Sequence, residues 1–457
     1  MHDPKPLPRL PDDAGTLAIL RTLVRNPLEA IPEGAYRAGC VATRLFGRDL
    51  VYVAHPDLVR HVLTDPGTFG QSDVVRRALT PLLGDGVLTT EGSRWRHQRR
   101  AAAPAFRNEA VLRLLPIMTA AAEAACDRWA ARPEQTVNIT AEMMRATLDV
   151  ILGALLPGAE AINQVRFGDA LSVYLEQSTW HLALSLLLAP HWLPYPGRRV
   201  GARAARELRS MVLDMLRGNG GDADAGLLGL LRSHIDPESG RAFTETELLD
   251  NLLTFVAAGH ETTAGTLAWA LFLLARHPAV EAQVLDEIAA IAPTGVLDAN
   301  GLAALTVTRR VVQETMRLYP TAPLLLRTAR KATTLGNVAL GPGASVYLPI
   351  YALHRHEAVW PRPERFDPDR FLPARAQAQH RYAYLPFGAG PRACMGATLA
   401  MTEAVALLAV MLRRTRFSVS PGHYPRPVVR VTLRAQGDIP MRVEPRQRPL
   451  TEQAPHR

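Results

Sequence analysis

The chain has 457 residues, 47% of them apolar, and carries 52 Lys plus Arg against 43 Asp plus Glu, for a net charge of +9. That length exceeds one minimal core, and the basic excess is spread along the chain with no stripe or motif of a nucleic-acid binder. Cys40, Cys126 and Cys394 are too few and too irregularly spaced for a disulfide framework. "MHDPKPLPRLPDDAG" lacks the basic start and apolar run of a secretory signal, and no apolar stretch reaches membrane-span length, so a cytoplasmic protein is expected.

In chain order, "VATRLFGRDLVYVAHP" predicts two short strands around a turn at Phe46, Gly47 and Arg48. From "PDLVRHVL" to about Arg276 helical periodicity dominates, broken by loops such as "GNGGDADAG" and "DPESGRAF". The segment "TETELLDNLLTFVAAGHETTAGTLAWALFLLARHP" opens on a capping box, Thr244 with Glu247, and reads as one helix roughly 50 Å long. Apolar on every side, it belongs in the interior. "VLDEIAAI" and "RRVVQETMRLYP" are helical, and "PLLLRTARKATTLGNVALGPGASVYLPIYAL" is strand-like with a turn at Gly341, Pro342 and Gly343. A Pro-rich loop, "WPRPERFDPDRFLP", then leads to "YLPFGAGPRACMG" and an apolar helix. With no repeat and no clean linker, a single domain over 1–457 is expected: mainly α, with a β-rich lobe at about 35–60 and 320–380 and a frayed tail at 445–457.

Four groups of residues carry chemistry. "GSRWRHQRR" sets Trp95 and Arg99 four apart on one helix face, with His97 off that face and Arg94, Arg96 and Arg100 in solvent. "AAGHETT" puts Glu261, Thr262 and Thr263 inside a buried helix, where polar groups need partners; Thr262 can bond back to the carbonyl four residues earlier, bending the helix at Gly259. By itself that group is equally an ordinary satisfied core. "ETMR" places Glu314 and Arg317 three apart, a spacing common to plain surface pairs. Cys394 stands among Gly388, Gly390 and Gly396 at the mouth of a helix, where N–H groups and the helix dipole favour a thiolate. A buried structural cysteine and a nucleophile of the papain type fit the same residues.

The string around Cys394 resembles the haem-binding signature of the cytochrome P-450 family, Phe-x-x-Gly-x-Arg-x-Cys-x-Gly, through Phe387, Gly390, Arg392, Cys394 and Gly396. The resemblance extends to the oxygen-activation motif (Ala258, Gly259, Glu261, Thr262, Thr263), the Glu-x-x-Arg helix and the Trp-x-x-x-Arg pattern, all in family order. It implies that the Cys394 thiolate ligates the iron of haem b and pushes electron density toward O–O cleavage. Phe387, Gly388, Gly396 and Ala258 would border the haem, and Trp95, Arg99, Arg327 and Arg392 would hold its propionates. Thr262 would donate a hydrogen bond to dioxygen and Glu261 would relay protons. Glu314, Arg317 and Arg365, the last in "PERF", would form a structural network. Val87, Leu88, Phe255, Ala258, Ala322, Leu324 and Leu325 would line a pocket for a lipophilic substrate such as a fatty acid, terpenoid or steroid, though each is also an ordinary core residue.

The implied activity is haem-thiolate monooxygenation, hydroxylating or epoxidising that substrate. Two rivals are a hydrogen-peroxide-driven peroxygenase, against which Glu261 and Thr262 argue, and a haem-binding sensor or carrier without turnover. With no flavin or iron–sulfur segment in the sequence, electrons are expected from a separate ferredoxin and ferredoxin reductase. The expected docking surface lies around Arg96 and Arg100. The protein is expected to be a monomer.

Overall fold

Helices make up most of the structure, and the longest one fixes the position of the rest. The computed structural model describes residues 6–45, 48–132, 135–155, 164–186, 195–218, 226–420 and 422–446. Six of its helices matter to the site: α1 (Gly92–Ala102), α2 (Ile139–Leu155), α3 (Arg198–Gly218), α4 (Glu245–Arg276), α5 (Thr306–Leu318) and α6 (Ala397–Arg414); all but α3 line it, and α3 braces α4. Thr244 caps α4 as expected, its hydroxyl accepting from the Glu247 N–H at 3.2 Å while Glu247 accepts from the Thr244 N–H at 3.0 Å. The 32-residue helix is buried along nearly its whole length, and α2 and α6 pack against it. Gly259 lets the two helices approach closely: a Cβ there would lie 2.9 Å from Ile151 Cδ1 of α2, which would have to shift.

Twelve strands are described, in chain order β1 (Cys40–Leu45), β2 (Arg48–Val53), β3 (Phe69–Gln71), β4 (Thr136–Asn138), β5 (Leu325–Ala329), β6 (Thr333–Leu335), β7 (Val338–Leu340), β8 (Ser345–Leu348), β9 (Thr415–Ser418), β10 (Pro427–Val429), β11 (Leu433–Ala435) and β12 (Pro440–Pro445). The main sheet has the order β1-β2-β8-β5-β3. Within it β2 and β8 run parallel, Val51 facing Val346, and the other pairs are antiparallel. Its inward residues, among them Val51, Val53, Val346 and Leu348, form their own apolar layer. Between them Leu50, Tyr52 and Tyr347 belong to the main core and are buried too, so the centre of this sheet is covered on both faces.

The β-rich lobe differs from its expected extent. Strands end at Leu348, and 350–380 folds into short helical turns and loops. The stretch from Thr415 to Pro445, outside the expected lobe, contributes four strands. These strands are three to six residues long, too short to impose a period of two on the sequence. Most of the expected turn at Phe46 and Gly47, most of "GNGGDADAG" and the tail from 447 lie outside the described residues.

The network on α5 forms with a different third member. Glu314 and Arg317 are fully buried and paired through two contacts, Nε to Oε2 at 2.7 Å and Nη2 to Oε1 at 2.8 Å. Arg317 also donates to the carbonyls of His354, Pro363 and Arg365, at 2.9, 2.7 and 3.0 Å. The Arg365 side chain is exposed, and only its backbone carbonyl takes part. The third charge is Arg370 from "PDRF", which is buried and lies 3.4 Å from Glu314. Two Arg-Phe dipeptides stand five residues apart in that loop, and burial, which the sequence does not reveal, selects the second.

Candidate active site

A cavity of about 1140 Å³ lies between α4 and the loop that precedes α6, with Cys394 on its wall. The Cys394 loop is shaped by its backbone. The Cys394 N–H donates to Phe387 O at 2.9 Å, and Gly390 has φ +72° with Leu63 O so near that a Cβ there would sit 2.1 Å from it. No other residue type fits at position 390. Cys394 keeps accessible surface because it borders the cavity, yet its sulfur is packed closely enough that burial pushes the thiol pKa up. The Gly396 N–H and the Arg99 guanidinium pull it back down. Burial therefore outweighs the helix-end and N–H effects that favour a thiolate, and stabilising the anion needs a cation at the sulfur.

The expected propionate partners share one side of the cavity. Trp95, Arg99, Arg327 and Arg392 all line it, with the Arg392 guanidinium 4.3 Å over the Trp95 ring and Arg99 at 5.7 Å. Arg99 has no carboxylate partner among the described residues, and the hydrogen bond of Arg327 goes to a neighbouring carbonyl, Leu326 O, at 2.8 Å. Burial pushes the pKa of both down. It pushes Arg392 down to about 10, and Arg327, Arg99 and Arg330 add repulsion that Glu91 opposes. Glu91, a carboxylate beside them, pairs with Arg330 at 2.9 Å. Three crowded guanidiniums facing a void are costly unless an anion occupies it.

On the opposite wall α4 presents Phe255, Ala258, Gly259 and Thr262. The Thr262 hydroxyl donates to Ala258 O at 2.8 Å, as the sequence suggests, and α4 remains helical through Gly259. Val87, Leu88, Ala322, Leu324 and Leu325 line the cavity as well, so all seven expected pocket residues border it. Phe387, Gly388 and Gly396 border it too.

Glu261 does not reach the cavity. It is 4% exposed and turns to the other side of α4, where its Oε1 accepts from Thr432 Oγ1 and from Arg434 on β11. Arg434 is 22% exposed and carries this cluster to the surface. The surface arginines also differ from the expectation of plain solvation. Arg94 pairs with Asp85 at 2.7 Å, and Arg96 and Arg100 share Glu238 at 4.0 and 3.5 Å. His97 is buried and stacks on Phe243, which suits its lack of a ligand role.

Two wall residues escaped sequence reasoning. Ile151 of α2 lies at a cavity edge because Gly259 lets it approach. Glu403 of α6 is 2% exposed; its Oε1 has no hydrogen-bond partner among the described residues, and burial drives its pKa well up. It shares a cavity-facing stripe with Leu399, Ala400 and Ala404, a periodicity of three and four that the apolar run around it conceals.

Comparison with known proteins yields one family. The family model described as cytochrome P450 matches residues 38–437. Cyclooctatin synthase of Streptomyces melanosporofaciens is 32% identical over 428 residues, covering 93% of this chain and 92% of the relative. Cyclooctat-9-en-7-ol 5-monooxygenase of the same organism is 34% identical over 90% of each chain. Pentalenene oxygenase of Streptomyces avermitilis is 30% identical, over 90% of this chain and 91% of the relative. Among solved structures, the crystal structure of the cytochrome P450DA heme domain superposes with a TM-score of 0.81 at 28% identity, covering 98% of this chain and 99% of that one.

Proposed function

The chain belongs to the cytochrome P450 family, a haem monooxygenase using dioxygen and a redox partner, and from that premise we propose that it oxidises a neutral terpenoid with electrons from a separate ferredoxin. The carrying observation is the character of the cavity's lining: α4, Val87, Leu88 and Ala322 to Leu325 contribute no charged side chain to it, whereas Arg99 and Arg392 gather over Trp95 with Arg327 beside Arg392.

The residues present fit haem b. Cys394 supplies the sulfur for the iron, and Arg99, Arg327 and Arg392, crowded and lacking carboxylate partners of their own, suit two propionates, with the Trp95 indole N–H as a further donor. Bound haem supplies the oxidising chemistry, which with two electrons and two protons divides dioxygen between a C–H or C=C bond and water. Thr262 Oγ1 holds a proton at the cavity wall, now directed at Ala258 O, and turning that hydroxyl inward makes it a donor there. Glu261, one residue earlier, connects through Arg434 to the surface, a route by which protons reach α4. The apolar wall excludes water and binds the substrate by burying its hydrocarbon surface.

A fatty acid would leave its carboxylate unmatched on the uncharged wall. A terpenoid without a charged head has no such cost, and the three relatives above carry names from that chemistry. The chain acts as a monomer, as one continuous domain, and receives electrons on the face of α1 bearing Arg96 and Arg100, half-exposed and flanked by the exposed Arg107 and Arg113. Charge reversal at Arg96 and Arg100 should abolish the salt dependence of reduction by ferredoxin; unchanged dependence means that the donor docks elsewhere. The substrate reading is tested by titrating haem-loaded protein with a cyclic terpene hydrocarbon and with a fatty acid of equal carbon number. A Soret shift with the terpene at much lower concentration supports it, and the reverse order refutes it.

A further inference from the structure

The loop from Gly84 to Glu91 lies between the Asp73–Leu83 helix and α1, and carries Val87 and Leu88 to the cavity. Surface loops of this kind are ordinarily mobile, but this one is fastened to α4 by paired side chains. The Asp85 N–H donates to Asp250 Oδ2 at 2.8 Å, and the Val87 N–H donates to Asn251 Oδ1 at 3.0 Å. Neither acceptor is free to turn. Asn251 donates through its own Nδ2 to Glu247 O at 2.8 Å, and Asp250 is held by Arg209 of α3, also at 2.8 Å. Asp250 and Asn251 are 3% and 1% exposed, so their polar atoms have no water to exchange with.

The contact is also close. A Cβ on Gly86 would lie 2.2 Å from Thr254 Oγ1 and 2.8 Å from Asp250 O. Thr254, Phe255, Ala258 and Thr262 continue from this anchor into the cavity wall. From the other side Arg392 donates to Val87 O at 3.4 Å and to Thr90 O at 2.5 Å. Val87 is thus gripped at its N–H by α4 and at its carbonyl by an arginine of the cavity's charged side.

We propose that Asn251, oriented by the α4 backbone and aided by Asp250, is a specificity-determining positioning residue: by holding the Val87 N–H it fixes the width of the substrate space between the 84–91 loop and Thr262. It touches no substrate itself. Fixing that wall in advance removes the ordering cost that a bound ligand would otherwise meet. The proposal rests on the haem-and-substrate reading of the cavity, and its test separates the two.

Haem-loaded wild type, Asn251→Ala, Asn251→Asp and Gly86→Ala are titrated with imidazole and with 4-phenylimidazole by Soret shift, and hydrogen exchange of the Val87 amide is followed in each. Imidazole senses only the iron; the phenyl ring also senses the wall. Asn251→Ala should raise the 4-phenylimidazole Kd about fivefold while leaving that of imidazole within about twofold, the loss expected from one organising hydrogen bond. The Val87 amide should exchange at least about tenfold faster. Asn251→Asp, which keeps the acceptor oxygen but loses the donor to Glu247 O, should restore the ligand ratio in part, and Gly86→Ala, which pushes the loop from Thr254, should reproduce the loss without touching Asn251. If either Asn251→Ala or Gly86→Ala speeds exchange at Val87 yet leaves both Kd values unchanged, the contact only supports the fold and the proposal is wrong. Absence of any azole-induced shift in wild type would instead overturn the haem reading, and this inference with it.

Discussion

Two buried carboxylates, Glu314 and Glu261, answer the cost of burial in different ways. Glu314 is enclosed: Arg317 grips both its oxygens, Arg370 adds a third contact and the Asp367 N–H a fourth, and the two central side chains have no exposure. Those bonds tie α5 to the segment leading toward Cys394. Glu261 is as buried, at 4%, but its partners Thr432 and Arg434 sit on the β10 to β11 hairpin, and Arg434 reaches solvent. An enclosed pair of this kind holds geometry, because separating it leaves a charge with no water to receive it. A pair at the protein's edge can come apart and exchange protons. The same residue types are thus enclosed at Glu314 and linked to solvent at Glu261, which suits the support and the proton supply proposed for them.

Removing the carboxylates tests that contrast most strongly. Glu314→Ala leaves the Arg317 guanidinium buried and unpaired, and should cost about 3–5 kcal/mol, enough to lose most haem-loaded protein at 37 °C. Glu261→Ala should fold and load haem at close to wild-type yield, because Arg434 can turn to water. Equal losses in thermal melting would erase the distinction. Arg370→Ala should cost about 1–3 kcal/mol by leaving Glu314 short of a partner, whereas Arg365→Ala, an exposed side chain, should stay within about 0.5 kcal/mol. The reverse order would restore Arg365 to the network.

Acid sharpens the comparison, because each side has a buried histidine. His354, whose carbonyl accepts from Arg317 and whose Nε2 accepts from the Leu385 N–H at 2.8 Å, is pushed down to about 3 by burial and then by Arg317 and Arg355. His260 is pushed down to about 4 by burial and then by Arg434. Both remain neutral when folded, while the unfolded chain takes up their protons below about pH 6.5. Their stabilising contribution is complete above that pH and is lost as pH falls toward 4 for His260 and toward 3 for His354, by up to about 1.4 kcal/mol per unit for each. His354→Gln, which keeps an acceptor for Leu385, should flatten the acid limb between pH 6.5 and 4.5 in denaturant titrations. An unchanged slope would mean that His354 is not the group titrating. Thr262→Ala should also change stability little, by under about 1 kcal/mol for one hydroxyl bond to Ala258 O. Product formed per reductant should nevertheless fall about a hundredfold, the low end for a positioned proton donor; unchanged coupling would remove Thr262 from the reaction.

Much of this site was legible in the sequence because its chemistry depends on short spacings. Trp95 with Arg99, Glu314 with Arg317, and Cys394 within its glycines each lie inside one helical turn or loop, so the text holds them together, and the resemblance to the family's motifs, which the spacings alone do not supply, gave them roles. What escaped depended on distant segments or on burial. Arg370 and Arg365 are equivalent as text, and only packing distinguishes them. The outward turn of Glu261 depends on Arg434, far along the chain on a strand three residues long. Glu403 is one acid in an apolar run, and nothing local marks it as a cavity residue. The C-terminal strands were invisible for the same reason, being too short for alternation to register.

The central claim is that Cys394 is the iron ligand at the base of this cavity. Its most direct test is the carbon monoxide difference spectrum of dithionite-reduced protein, wild type beside Cys394→Ala, with haem content measured in both. A Soret band at the red-shifted position of thiolate ligation in wild type, absent in the variant, is the predicted result. No bound haem in wild type, or the same band typical of histidine ligation in both proteins, would contradict it.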